Sequence, residues 1–202
     1  IGQDPTLAPI LIGSHLDSVR NGGKYDGIVG VVGALEVLSV LAEQGIQPRR
    51  SVELIVFAEE EGSNFSTTMV GSKALVGKLS QAGLAQLRAE DGRSALEVMR
   101  DFGLHPEEME RYVLHKGDVA AMLELHIEQG VVLDREKRRL GVVQAIAGMT
   151  TLEITVTGVP NHAGSTPMRM RQDPMPAAAE LIIAIEQLAA KQALPDTVST
   201  VG

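Results

Sequence analysis

An apolar run, Pro9-Ile10-Leu11-Ile12, leads into Gly13-Ser14-His15-Leu16-Asp17-Ser18 and then a glycine-rich loop, Gly22-Gly23-Lys24-Tyr25-Asp26-Gly27. The run reads as a short buried strand over residues 9–13. A buried strand that ends in His-x-Asp must find partners for those polar groups. A metal ion is one good partner for imidazole and carboxylate together.

Residues 27–44 then read as a helix, with Ile28, Val31, Val32, Leu35, Leu38 and Leu41 at helical spacing. Asp26 stands at the N-cap position and Gly45 at the position after the C-cap, so helix capping is the plain structural account of Asp26. Gly27, Gly30 and Gly33 follow G-x-x-G-x-x-G, which is not the dinucleotide-binding G-x-G-x-x-G. Close packing of helix on sheet accounts for them better.

Ser51 to Ala58 reads as a second strand, apolar on both faces through Val52, Leu54, Ile55, Val56 and Phe57. That is the pattern of a central strand in a covered, largely parallel sheet. It runs into Glu59-Glu60-Glu61-Gly62-Ser63. Three carboxylates there raise one another's pKa values unless a cation joins them. A solvated charge run is the alternative. The strand's C-terminal end favours the metal, because open α/β sheets gather ligands beyond those ends.

Helices are expected over 69–78 and 94–100, with another starting over 106–111. His105 and His115 read as solvated. Leu123, Leu125 and Ile127 alternate with Glu124, His126 and Glu128, which predicts a strand over 121–130. A further strand is expected over 141–146. After Gly148 the character changes. Residues 151–157 alternate as a strand with one wet face, 158–165 form a loop, 174–192 form a helix with Pro176 in its first turn, and 196–201 form a strand.

The fold class read from this is α/β. A mixed, largely parallel sheet with helices on both faces fills residues 1–147, and the start of a smaller α+β domain fills 148–202. The chain starts at Ile1 and stops just after a strand-like stretch, so a fragment truncated at both ends is expected.

The chain has no cysteine, which excludes disulfides and thiolate ligands. Any metal must use His, Asp and Glu, and a cytoplasmic setting is expected. A net charge of -8 and 2% aromatics argue against a nucleic-acid surface. No run approaches the roughly 18 to 20 apolar residues that span a membrane. His15, Asp26, Glu61 and His126 form a sulfur-free set suited to zinc, manganese or cobalt. A carboxylate such as Asp26 can bridge two ions. Glu60 points away from Glu61 on an extended chain and could take a proton from an activated water. Ser14 lacks the G-x-S-x-G elbow of a serine nucleophile.

Five motifs, in order, carry a resemblance: Gly13-Ser14-His15-Leu16-Asp17-Ser18, Gly22-Gly23-Lys24-Tyr25-Asp26-Gly27, Glu59-Glu60-Glu61-Gly62-Ser63, His126-Ile127-Glu128-Gln129-Gly130 and Asn161-His162-Ala163-Gly164-Ser165-Thr166-Pro167-Met168. Together they resemble the amidase and hydantoinase/carbamoylase family of the dinuclear-metal aminoacylase and carboxypeptidase clan. That family includes N-carbamoyl-L-amino-acid hydrolases, β-ureidopropionase and allantoate amidohydrolase. The resemblance implies a zinc-aminopeptidase-like catalytic domain and a lid that also dimerises. It implies two divalent ions, with His15 and His126 on one, Glu61 on the other and Asp26 bridging. Asp17 would orient His15, Glu60 would be the general base, and Gln129 would contact substrate. His162 would polarise the scissile carbonyl from the lid, while Arg171 and Asp173 would be structural.

The implied reaction is hydrolysis of a non-peptide C–N bond in a small ureido or carbamoyl carboxylate, by a metal-bridged hydroxide. A peptidase or aminoacylase of the same clan is the alternative, and a non-catalytic small-molecule-binding relative is another. Two departures stand out. The second metal's last histidine, and the Asn and Arg that grip the substrate carboxylate, are not in this chain. Asn64 stands where relatives commonly carry Arg. The chain alone is therefore expected to bind metal incompletely and to be inactive.

Overall fold

The computed structural model describes residues 2–191 and 197–202. The chain divides into two compact units, Ile1–Gly141 and Val142–Gly202. The division lies a few residues before the 147/148 boundary read from the sequence.

In the first unit, β1 (Ile10–His15) is the middle of a three-stranded parallel sheet of order β2-β1-β3, with β2 at Val52–Phe57 and β3 at Ala121–Leu123. Ile10 pairs with Val52 on one side and Ala121 on the other, and His15 pairs with Phe57. β1 is buried from Leu11 to His15. Its glycine is sterically required, because a Cβ on Gly13 would lie 1.8 Å from the Ile55 carbonyl oxygen. β2, read as central, is an edge strand among the described residues.

α1 (Ile28–Glu43) packs on β1 and β2, burying Gly30, Val31 and Ala34. Leu11 and Ile12 of β1 and Val31 of α1 are buried, and each such aliphatic side chain contributes about 1.5–3 kcal/mol. The glycine spacing has the packing role expected of it. A Cβ on Gly30 would stand 2.3 Å from the Leu125 carbonyl oxygen and 2.6 Å from Ser14 Cβ. α1 ends at Gln44, and Gly45 takes φ 63 while the Ile46 amide donates to the Leu41 carbonyl at 2.9 Å. That is a left-handed helix stop, which glycine adopts without strain.

A small helical cluster follows: α2 (Val70–Leu75), α3 (Gln81–Gln86), α4 (Ala95–Asp101) and a 3-10 helix, Pro106–Tyr112. Its core is Val70, Leu84 and Ala95, with Phe65, Leu79, Leu87, Leu96, Met99 and Met109 packed around them. A capping box starts α4, where Ser94 Oγ accepts from the Glu97 amide and Glu97 Oε2 accepts from the Ser94 amide. α3 was not expected from the sequence. Six residues with one deeply buried apolar side chain, Leu84, are too short for a periodic signal.

Three strand expectations are corrected. Only Ala121–Leu123 of the 121–130 stretch pairs in the sheet, and the chain then leaves it. No strand forms over 141–146 or 151–157 among the described residues, and Ile146 is 88% exposed. Alternation supplies a face, but a strand also needs a neighbour to take its backbone hydrogen bonds. No described neighbour takes them here. Asp196 of the last expected strand lies outside the described residues, and Thr197–Val201 are not a strand.

A one-turn helix, α5 (Val132–Arg135), follows β3. The second unit holds a bridge between Val159 and Gln172, a 3-10 turn at Met168–Met170 and α6 (Pro174–Lys191). The expectation for α6 extended to Gln192, which is outside the described residues. No described helix is long and apolar enough to cross a membrane.

Candidate metal centre

β1, β2 and β3 run in parallel, so their C-terminal ends open on one edge of the sheet. Ile12 is opposite Leu123. Three residues further along each chain stand His15 and His126. Their rings lie with centroids 5.6 Å apart and Nε2 atoms 3.4 Å apart. His15 is 2% exposed and His126 half-buried.

The hydrogen bonds set both tautomers. His15 Nδ1 lies 2.8 Å from the Asp17 carbonyl oxygen, and His126 Nδ1 lies 2.9 Å from the Ile127 carbonyl oxygen. A carbonyl only accepts, so each Nδ1 carries a proton, and in the neutral form of each ring Nε2 presents a lone pair. Asp26 Oδ1 joins them, 3.1 Å from His126 Nε2 and 4.0 Å from His15 Nε2. It is buried and receives no hydrogen bond. Two lone pairs and a carboxylate oxygen that converge on one spot repel one another. A divalent cation turns that arrangement into a ligand set. The donor set of imidazole and carboxylate therefore fits the metal expected from the sequence.

Asp26 is not the helix cap. The N-cap residue is Gly27, at φ 67, with no side-chain cap. A Cβ there would lie 2.4 Å from the His15 ring, so the bare backbone of Gly27 forms one wall of the imidazole's slot. The other Asp26 oxygen accepts from Gln129 Nε2 at 2.6 Å. Gln129, read as a substrate contact, thus holds the carboxylate in place.

The three consecutive glutamates diverge. Glu59, at φ 52, turns to accept from the backbone and side-chain amides of Asn64. Glu60 and Glu61 bring carboxylate oxygens to His15 as a second potential metal-holding group, with Glu60 Oε2 3.8 Å from His15 Nε2. Burial pushes the Glu60 carboxyl above its usual range. The His15 ring opposes that shift, while Glu61, Asp17 and Glu124 add to it. Asp17 ties the group together. Its carbonyl orients His15, its carboxylate stands 3.8 Å from Nδ1, and Oδ2 accepts from the Glu61 amide at 2.9 Å.

Glu124 belongs to this neighbourhood as well, and accepts from the fully buried Ser14 hydroxyl at 2.5 Å. Its place two residues before His126 was the available signal. Glu128, on the same alternating face, instead accepts from the Val132 and Leu133 amides and starts α5. His105 and His115 are exposed, as expected.

His162, Arg171 and Asp173 lie in the second unit. There His162 is exposed, and its Nδ1 accepts from the Gly164 and Ser165 amides at 3.1 and 3.2 Å.

Residues 11–201 match peptidase family M20/M25/M40. The chain is 43% identical over 201 residues to an N-carbamoyl-L-amino-acid amidohydrolase of Paenarthrobacter aurescens, covering 100% of this chain and 48% of that protein. It is 41% identical over 183 residues to an allantoate deiminase of Arabidopsis thaliana, covering 89% of this chain and 35% of that protein. Its fold resembles a hydantoinase/carbamoylase family amidase from Burkholderia ambifaria, with a TM-score of 0.73 at 31% identity over 95% of this chain and 46% of that one. The chain thus spans about half the length, or less, of the curated relatives it matches.

Proposed function

The chain belongs to peptidase family M20/M25/M40, and from that premise we propose that the protein is a metal-dependent amidohydrolase of the carbamoylase type. Its substrate would be a small carboxylate carrying a ureido or carbamoyl group, such as an N-carbamoyl amino acid or allantoate. The observation that carries this reading is the convergence of His15 Nε2, His126 Nε2 and Asp26 Oδ1, with Glu60 and Glu61 beside His15. The substrate class is supported by what the relatives are named for.

Two divalent ions held by His15, Asp26, Glu61 and His126 would polarise the scissile carbonyl and acidify the attacking water. The chain's own groups do the rest. Glu60 takes a proton from that water and passes it to the departing nitrogen. Asp17 and Gln129 fix His15, Glu61 and Asp26 so that little rearrangement is needed. Gln129 also meets the substrate. His162 donates a hydrogen bond to the carbonyl oxygen as negative charge develops there, a role that rests on motif resemblance. Assignment of residues 1–147 as catalytic domain and 148–202 as lid is part of the same proposal. So are a homodimer through the lid and a cytoplasmic setting.

The test is ammonia release by the full-length protein, stripped of metal and reloaded with zinc, manganese or cobalt. Allantoate, several N-carbamoyl amino acids and a dipeptide would be offered. Metal-dependent ammonia from a ureido substrate is the expected result. Cleavage of the dipeptide alone would make it a peptidase of the same family. Metal uptake with no turnover of any substrate would make it a binding protein.

A further inference from the structure

We propose that Arg171 is the positioning residue of His162, holding the loop in which the imidazole keeps its proton on Nε2. The proposal rests on the reading of His162 as a hydrogen-bond donor to substrate, but its structural part stands within the second unit alone.

The loop is anchored by its ends. The Val159 amide donates to the Gln172 carbonyl at 2.8 Å. A Cβ on Gly158 would lie 2.3 Å from that same carbonyl oxygen and 2.5 Å from Pro174 Cδ, so the two arms are in close contact. Asp173 Oδ1 accepts from the Met175 amide at 3.0 Å, which ties the second arm into the start of α6. Arg171 sits between these anchors and is half-buried. Its Nη2 donates to the Ala163 carbonyl and reaches the His162 carbonyl at 3.5 Å. One guanidinium nitrogen thus binds two successive carbonyls of the segment that carries the imidazole.

A trans peptide points its C=O and N–H in opposite directions, so holding the Ala163 carbonyl turns the Gly164 amide the other way. The Gly164 and Ser165 N–H groups both point at His162 Nδ1. A nitrogen that meets two donors must offer a lone pair, so the neutral ring carries its proton on Nε2. Nε2 is therefore a donor on an exposed ring. The metal-site histidines have the opposite arrangement, with Nδ1–H on a carbonyl and a free Nε2 lone pair. The chain uses backbone carbonyls to make ligands of His15 and His126, and backbone amides to make a donor of His162.

The experiment is a proton–nitrogen correlation spectrum of the full-length protein labelled at histidine nitrogen. The His162 signals are assigned by their loss in His162→Gln. Wild type should show His162 with an unprotonated Nδ1 and a protonated Nε2. Arg171→Met should average the two tautomers and lower kcat about tenfold to a hundredfold with little change in KM. A wild-type His162 with its proton on Nδ1, or with both tautomers averaged, overturns the proposal. So does an Arg171→Met protein whose His162 spectrum matches wild type. Full turnover in His162→Gln would instead overturn the functional role assigned to His162, and the spectrum would still decide the tautomer.

Discussion

Glu59, Glu60 and Glu61 are chemically identical neighbours with three different surroundings. Glu59 is turned to Asn64 by a left-handed backbone, whereas Glu60 and Glu61 both reach His15. The amide of Glu61 is held by Asp17 Oδ2, which fixes its direction. Glu60→Gln should therefore lower kcat by about 10²- to 10⁴-fold, the usual worth of a general base, while leaving bound metal unchanged. Glu61→Gln should lose metal. Elemental analysis beside the rate measurement separates the two, and metal loss in Glu60→Gln would mean that the roles are exchanged. His15, Asp26, Glu60, Glu61 and His126, which the fold brings together in two groups, were readable as candidates because each is polar and stands beside one end of an apolar stretch. The hold of Gln129 on Asp26 was not. It depends on a left-handed turn at Gln129, φ 55, to which side-chain alternation is blind.

Among the elements, β1, β2 and α1 were readable because each has one apolar pattern and a local stop signal. Residues 141–157 were misread because alternation is a local property, whereas pairing requires a partner elsewhere. β3 shows the same limit, since its pattern continues through Ile127 while its pairing ends at Leu123. The chain leaves the sheet after Leu123, and His126 still lies beside His15. α1 sets how close that segment can lie, because Gly30 touches the Leu125 carbonyl. Gly30→Ala adds one methyl group where there is no room. It should push Leu125 and His126 away from β1, cost about 1–3 kcal/mol of stability and weaken metal binding. Thermal melts and metal titration of the full-length variant test this. An unchanged melting temperature with unchanged metal affinity would show that the contact yields freely.

The candidate metal centre draws on four segments that are distant in the chain and adjacent in the first unit: 13–18, 26–30, 58–64 and 124–130. In the unfolded chain these ligands are not gathered, so a bound cation stabilises only the folded arrangement. Metal at about a hundred times its dissociation constant should add roughly 2.7 kcal/mol to that arrangement. The added stability should be localised. Hydrogen exchange in the full-length protein, compared with and without metal, should slow most at backbone amides of those four segments, with α4 and α6 far less affected. Acid should reverse the protection, because both imidazoles must offer an unprotonated Nε2 to the ion and protons compete for it. Asp26→Asn should abolish the protection at every one of the four segments together, since its Oδ1 is the atom on which both histidines converge. Protection that survives in that variant, or that spreads evenly over α6, would place the metal somewhere other than this strand-end cluster.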